Sequence, residues 1–488
     1  MTNRDPQGIR LPIRIDTTSN GEFVPVPLKK RNILGNMLAH ELASDNARRL
    51  GVDRRTFLVS TCGAASSLMA INQANAAADK KGGYFALAQD AALDADAALT
   101  SLGGEEFIFD VQGHYVNPTG AWLQTQSKDA QPFSGMSTNP CIVAAEKGAN
   151  REYLNCLGAD EFIKDIFLDS DTDMMVLTFM PSTREEQTLT IEEADATRRI
   201  VDAMDGDHRL MLHGRVNPNQ AGDLEDMDRL AENFPISAWK TYTQWGPDGH
   251  GFYLTDDVGE AFIEKAKALG IYNIAIHKGL SFGADSYEHS LCSDVGEAAK
   301  RHPDINFILY HSGYDTTQRE EAFTPGSGKA KGIDVLCQSL IDHGVKPNTN
   351  VYSELGSTWR YLMRDPDEAA HALGKLLLYC GENNMLWGTD SIWYGSPQDQ
   401  IQAFRTFQIS EEYRDRYQYP KMTKNLKAKI FGLNAMKPYG ISVDEMKKRA
   451  QHDSITNRKH AYIERPNPSF TTYGPKTRRE FMNLLSRH

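Results

Sequence analysis

Residues 107–114 read FIFDVQGH, an apolar run that opens into three polar side chains at alternate positions, Asp110, Gln112 and His114. Successive residues of a strand face opposite sides, so these three point one way and converge at the strand's end. The same pattern, an apolar run closed by a polar residue, returns in residues 274–279 (IAIHKG), 307–313 (FILYHSG) and 385–390 (MLWGTD). Histidine and aspartate at the exits of several separate strands are what a barrel enzyme uses to hold a metal and a general base.

Working outward, residues 174–181 (MMVLTFMP), 209–218 (RLMLHGRVNP), 237–245 (SAWKTYTQW) and 350–357 (NVYSELGS) are further strand candidates, which brings the count to eight. Most are spaced by roughly 30–45 residues holding a helix-like stretch, such as 258–269 or 369–379, the repeat expected of an α/β, (β/α)8 TIM barrel. An open doubly wound sheet shares this alternation, but no Gly-rich phosphate loop follows an early strand. The barrel is therefore placed at 107–440. The connection 115–173 is long and carries a Gly/Pro/Ser-rich piece around 131–140, positioned to act as a lid or substrate loop.

Four segments flank the barrel. Residues 1–52 form an N-terminal arm and a helix over 32–50 stopped by Gly51. Residues 53–78 hold Asp53-Arg54-Arg55-Thr56-Phe57-Leu58, an Ala/Ser-rich run and Ala74-Asn75-Ala76, resembling a twin-arginine export signal. That implies a periplasmic enzyme exported after folding; a solvated amphipathic helix in a cytoplasmic protein is the alternative. Residues 79–106 are a helical lead-in, and 441–488 a charged tail suited to clasping a neighbouring subunit in a homo-oligomer. After the last strand, the basic stretch 424–433 packs as a helix beneath or beside the barrel.

The chain is 488 residues long, with 40% hydrophobic and 24% charged residues, ordinary values that exclude wholesale disorder. A net charge of −12 argues against nucleic acid or an anionic membrane surface as the partner and leaves small-molecule substrates. No stretch reaches the roughly 20 apolar residues of a membrane span. The six cysteines are scattered, without the spacing of a disulfide framework or a thiolate metal site.

Taken together, these strand exits resemble the amidohydrolase superfamily, in its branch of aminocarboxymuconate semialdehyde decarboxylase-like metal-dependent hydrolases, over 107 to about 440. The family's first strand ends D-x-H-x-H, matched here by Asp110 and His114 but not by Gln112, its fifth in a histidine, its sixth in H-x-G and its eighth in G-[ST]-D. The resemblance implies a divalent metal, Zn²⁺ with Mn²⁺ as the alternative, held by His114, His277 and Asp390, and His311 and Asp390 as catalytic proton carriers. Gln112 falls where the family has its first metal histidine; an amide oxygen is a weak, uncharged donor, so it counts at most as a weak ligand. A divalent ion brings the pKa of bound water from 15.7 to roughly 7, and an imidazole near pKa 6.5 can take or give a proton.

Candidates for substrate binding are His213 and Arg215 after the third strand, Lys240 and Tyr242 on the fourth, and Trp245 beyond it, Arg215 having the best shape for a bidentate carboxylate contact. Interior hydrogen bonding is the competing role for each. Lys240 as a carbamylated bridge between two metals is disfavoured, since the first strand lacks an HxH pair. Glu354 is placed to orient a ligand. The expected activity is hydrolysis of a small organic amide, ester or lactone, with aromatic compounds favoured by the tryptophans near strand exits. Decarboxylation of an aromatic or muconate-like acid and a metal-free binding barrel are the alternatives.

Overall fold

In the computed structural model, residues 5–125, 156–204, 209–281, 287–450 and 453–485 are described. Eight parallel strands follow one another in chain order: β2 (Phe109–Gly113), β3 (Met174–Leu177), β4 (Leu210–Arg215), β5 (Ile236–Tyr242), β6 (Asn273–His277), β7 (Asn306–Tyr310), β8 (Val351–Glu354) and β9 (Met385–Leu386). The chain beyond β9 returns to β2: Val111 N–H donates to Trp387 O at 3.0 Å and Asp390 N–H to Gln112 O at 3.0 Å. These bonds close the ring, as the sequence pattern predicts. Helices such as Asp257–Ala268 and Pro366–Tyr379 lie between successive strands and cover the outside.

Apolar side chains pack on both faces of the strands, so the runs are almost continuously hydrophobic. Inward, Phe109, Val111, Val176, Ala238, Ala275, Ile308 and Leu386 fill the lower barrel, with Met436 and Tyr439 closing its floor. The stretch 424–433 lies there, as helix Lys424–Ala428 and a π-helical turn Lys429–Leu433 that buries Ile430 and Phe431.

Outside the barrel the pattern is less regular. Helix α1 (Lys30–Leu50) ends at Gly51 with φ +68°, a left-handed cap that glycine adopts without strain. The twin-arginine-like segment is helix α2 (Arg54–Val59) and helix α3 (Thr61–Ala77), in which Arg55, Phe57, Leu58 and Leu68 are buried. Both arginines are tied down: Arg54 donates to Gly8 O and His40 O at 2.8 Å each, and Arg55 pairs with Asp5 at 3.7 Å. The lead-in is only partly helical. Gly83–Phe85 forms strand β1, antiparallel to β10 (Phe407–Ile409), ahead of α4 (Ala95–Leu102); glycine at 82 and 83 admits Tyr413 and Pro366, which a Cβ would meet at 2.4 and 2.2 Å.

The tail clasps this chain's own arm. Ser19 N–H donates to Pro475 O at 2.9 Å, and Tyr473 N–H ties the tail to the barrel at Trp393 O over 2.7 Å. Four cysteines, Cys62, Cys292, Cys337 and Cys380, are buried thiols, while Cys156 is disulfide-bonded, a bridge that scattered spacing could not announce. The lid expected at 131–140 lies outside the described residues. Among the described residues no helix is long and apolar enough to cross a membrane.

Candidate active site

Strand exits at one end of the barrel deliver the polar residues the sequence singled out. Gln112 and His114 leave β2; His277 ends β6; His311 follows β7; Glu354 ends β8; and Asp390 follows β9. A register shift in β2 between Asp110 and Gly113 breaks the alternation expected of Asp110, Gln112 and His114, so that Val111 packs in the interior and Asp110 binds Thr389. All are buried. His311, Ser312 and Asp390 have φ of +67°, +53° and +58°, backbone that costs non-glycine residues on the order of 1–3 kcal/mol each and concentrates at functional sites.

These residues divide into two groups. In the first, His114 Nε2 lies 3.2 Å from Asp390 Oδ1, and His114 Nδ1 has no hydrogen-bond partner among the described residues. Asp390 Oδ2 also accepts from Ser357 Oγ at 2.5 Å. Burial works against ionising Asp390, but the contact with His114, the nearby His311 and the Ser357 hydroxyl overcome it and hold the carboxyl at about 2.

In the second group, the rings of His277 and His311 stand 4.5 Å apart. His277 Nε2–H donates to Leu280 O at 3.3 Å and His311 Nδ1–H to Gly356 O at 2.7 Å, which leaves a lone pair on His277 Nδ1 and on His311 Nε2. Burial lowers the pKa of both, His311 to about 4, so both rings are neutral near pH 7. Glu354 braces His311 by accepting its backbone N–H at 3.0 Å. Tyr242 stacks on His277 at 4.8 Å.

A residue that no strand motif announces completes the second group. The arm turns at Gly21, φ +93°, and sends Glu22 into the barrel mouth. Glu22 Oε1 lies 3.4 Å from His277 Nδ1, and Oε2 lies 3.5 Å from His311 Nε2. Among the described residues, Glu22, His277 and His311 are the set whose donor atoms all lie within 4.8 Å of one another. The expected trio His114, His277 and Asp390 is not among such sets: His114 and Asp390 pair with each other, while His277 faces Glu22 and His311. Gln112 sits beside the set, its Nε2 3.5 Å from His311 Nε2 and its Oε1 without a hydrogen-bond partner among the described residues.

Four carboxyl groups, those of Glu22, Asp110, Glu354 and Asp390, are buried around this mouth with one ammonium, that of Lys240. Burial pushes Glu22 and Glu354 well up and Asp110 up to about 7, and it lowers Lys240 to about 7. Two neutral imidazoles and a carboxylate in a carboxyl-rich pocket fit a divalent cation.

The expected substrate contacts separate. Lys240 Nζ lies over the rings of Tyr310 at 3.8 Å and Tyr242 at 4.3 Å, inside the barrel. His213 is mid-strand and points to the floor, its Nε2 2.9 Å from the Tyr439 hydroxyl. Arg215 is engaged by Ser182 O at 3.0 Å and Asp223 at 3.4 Å. Trp245 is half-buried in the loop after β5, where its carbonyl accepts from Asn219 at 2.8 Å.

Among solved structures the chain is similar to 5-carboxyvanillate decarboxylase from Sphingomonas paucimobilis, at 15% identity, 69% of this chain, 100% of that one and a TM-score of 0.39. It is similar to a putative 2-pyrone-4,6-dicarboxylic acid hydrolase from Pseudomonas putida, at 16% identity, 69% of this chain, 98% of that one and a TM-score of 0.37. An amidohydrolase from Mycobacterium avium subsp. paratuberculosis gives 13%, 70%, 100% and 0.37. No curated protein matches. A family model described as amidohydrolase matches residues 183–441, just over half of the chain. That span runs from before β4 to beyond β9 and takes in His277, His311, Glu354 and Asp390, so the chain belongs to the amidohydrolase family and is an enzyme of it.

Proposed function

We propose that this enzyme is a metal-dependent hydrolase of a small organic substrate, an amide, ester or lactone with an aromatic ring among the candidates. The observation that carries this reading is the division of the strand-exit residues into an imidazole pair with inward lone pairs and an adjacent imidazole held by an ionised aspartate. His277 and His311 would hold the ion, for which Zn²⁺ suits the nitrogen-rich donor set and Mn²⁺ is the alternative. When bound, a divalent cation polarises the substrate carbonyl and makes water more acidic.

The protein's own groups supply the rest. Asp390 accepts His114 Nε2–H and fixes the tautomer whose Nδ1 lone pair takes a proton from water and returns it to the leaving group. This moves the proton-carrying histidine from His311, the sequence-based choice, to His114, because His311 Nδ1–H is committed to Gly356 and its other nitrogen faces Glu22. Asn20 and Phe23 of the arm are buried over the mouth, so water is excluded while the arm is seated.

Decarboxylation of an aromatic or muconate-like acid is favoured by one observation, the Lys240 ammonium. It has no hydrogen-bond partner among the described residues and lies over two tyrosine rings, a place where a substrate carboxylate and ring would both find contacts. Purified protein supplied with Zn²⁺ or Mn²⁺ and offered ester, lactone and amide panels beside phenolic acids tests both readings. Cleavage without CO₂ release supports hydrolysis, CO₂ release from phenolic acids replaces it with decarboxylation, and neither, with no metal retained, leaves a binding barrel. Twin-arginine export with the segment retained, since cleavage after Ala76 would take Asn20 and Glu22 away from the mouth, and homo-oligomeric assembly stand as further proposals, tested by sequencing the terminus of periplasm-fractionated protein and by light scattering.

A further inference from the structure

We infer that Glu22, carried in by the N-terminal arm, is the anionic ligand of the metal and takes the part that the first barrel strand, with Gln112, cannot fill. The inference rests on the metal-dependent reading above and names which residues make that site.

Spacing is the first support. Two donors each about 2.0–2.1 Å from one tetrahedral ion lie about 3.3–3.5 Å apart. The Glu22 oxygens stand 3.4 Å from His277 Nδ1 and 3.5 Å from His311 Nε2. Hydrogen bonds of this kind are normally shorter, about 2.7–3.2 Å.

Donor chemistry is the second. The opposite nitrogen of each ring is engaged by a backbone carbonyl, of Leu280 and of Gly356, so the nitrogens that face Glu22 both present lone pairs. A carboxylate and two imidazole lone pairs turned toward one another in a buried site are the donor set that a divalent cation draws together. The carbonyl that fixes the tautomer of a metal-binding histidine is the customary outer partner of such a ligand.

Delivery is the third. Glu22 is held as firmly as a strand residue: its N–H donates to Asn20 Oδ1 at 2.9 Å, and Asn20 Nδ2 bonds both the Glu22 carboxylate and Asp390 Oδ2, the latter at 2.7 Å. Gly21 N–H and Phe23 O both bond the Ser19 hydroxyl. Phe23 packs edge-on against Tyr361 at 5.6 Å. A carboxylate set this way arrives at the imidazoles already ordered.

The test uses the full-length protein, freed of metal by chelator and titrated with Zn²⁺ and Mn²⁺ by calorimetry, with Mn²⁺ electron paramagnetic resonance and bound-metal analysis as separate readouts. The wild-type protein should take one ion at this site. Glu22→Gln should bind about 100-fold more weakly or worse, and Glu22→Asp should fall between. Without metal, Glu22→Gln should melt higher than the wild type, since it removes a buried carboxylate that faces lone pairs; added metal should raise the melting temperature of the wild type alone. Should Glu22→Gln fail to fold, Glu22→Asp carries the comparison. Equal affinity in wild type and both variants, with binding lost in His277→Ala, overturns the role of Glu22 while leaving the metal reading in place. Absence of Zn²⁺ and Mn²⁺ binding by the wild type overturns both.

Discussion

Asn20 Nδ2 donates to Asp390 Oδ2 over 2.7 Å, joining a residue near the start of the chain to the exit of the last barrel strand, 370 positions away. Both side chains are buried. A hydrogen bond to a buried carboxylate contributes about 1.5–3 kcal/mol. Asn20→Ala should therefore lower stability by about 2 kcal/mol, read from the urea midpoint, and should open the mouth to solvent. Asn20→Asp should cost more, because it sets a third carboxylate against those of Glu22 and Asp390.

Asp390→Asn isolates the proton-carrying pair. Asn keeps the size of the side chain and an acceptor for Ser357 Oγ, but it no longer supplies the charge that holds His114 in its tautomer. The turnover number should fall about 10²- to 10⁴-fold with little change in KM, while the circular dichroism spectrum stays that of the wild type.

Two glycines make room for the buried carboxylate and amide at the mouth. A Cβ on Gly388 would lie 1.5 Å from Glu354 Oε1, and one on Gly356 would lie 1.9 Å from Gln112 Oε1. Glu354 is locked by its bonds to the His311 and Gly356 backbone, so it cannot withdraw without releasing His311. Gly388→Ala should cost about 3 kcal/mol or more and displace His311, visible as a lowered melting temperature together with loss of the bound ion.

Asp165, on the π-helical turn Lys164–Leu168, gives stability a dependence on pH that has no part in the chemistry. Burial, reinforced by Asp169 and Glu161 against the pull of Lys164, raises its carboxyl from an ordinary 3.8 to about 7. Between those values the folded protein keeps a proton that the unfolded chain has released, so stability falls as pH rises from about 4 to about 7. Asp165→Asn removes that dependence while retaining an acceptor for the Tyr473 hydroxyl, which lies 3.2 Å from Oδ2. The variant should melt higher than the wild type at pH 8 and lose that advantage as the pH approaches 4.

The barrel was legible because each strand is an apolar run ended by a polar residue, a local signal that needs no knowledge of partners. The same signal brought His114, His277, His311 and Asp390 to one end. What local pattern could not show was depth and pairing. His213 and Lys240 alternate correctly into the interior, yet they lie mid-strand, so one reaches the floor at Tyr439 and the other sits among tyrosine rings below the mouth. Arg215 has the shape to hold a carboxylate, and in the folded chain Asp223 on the following helix supplies one. Glu22 was invisible: Asn20-Gly21 marks a turn, and nothing near it marks a destination 255 and 289 residues away at His277 and His311.

The arm is fastened to the tail as well as to the barrel. Arg14 donates to Thr471 O at 2.9 Å, Ser19 N–H to Pro475 O at 2.9 Å, and Thr18 Oγ1 to Thr472 Oγ1 at 2.8 Å. Ribosomes add about 5–20 residues each second, so the first-made part of the protein waits roughly half a minute to a minute and a half for its last-made anchor. Until translation is nearly finished the arm lacks these bonds, and a nascent chain stalled short of residue 471 would hold Glu22 by its barrel contacts alone, Asn20 to Asp390 and Phe23 to Tyr361.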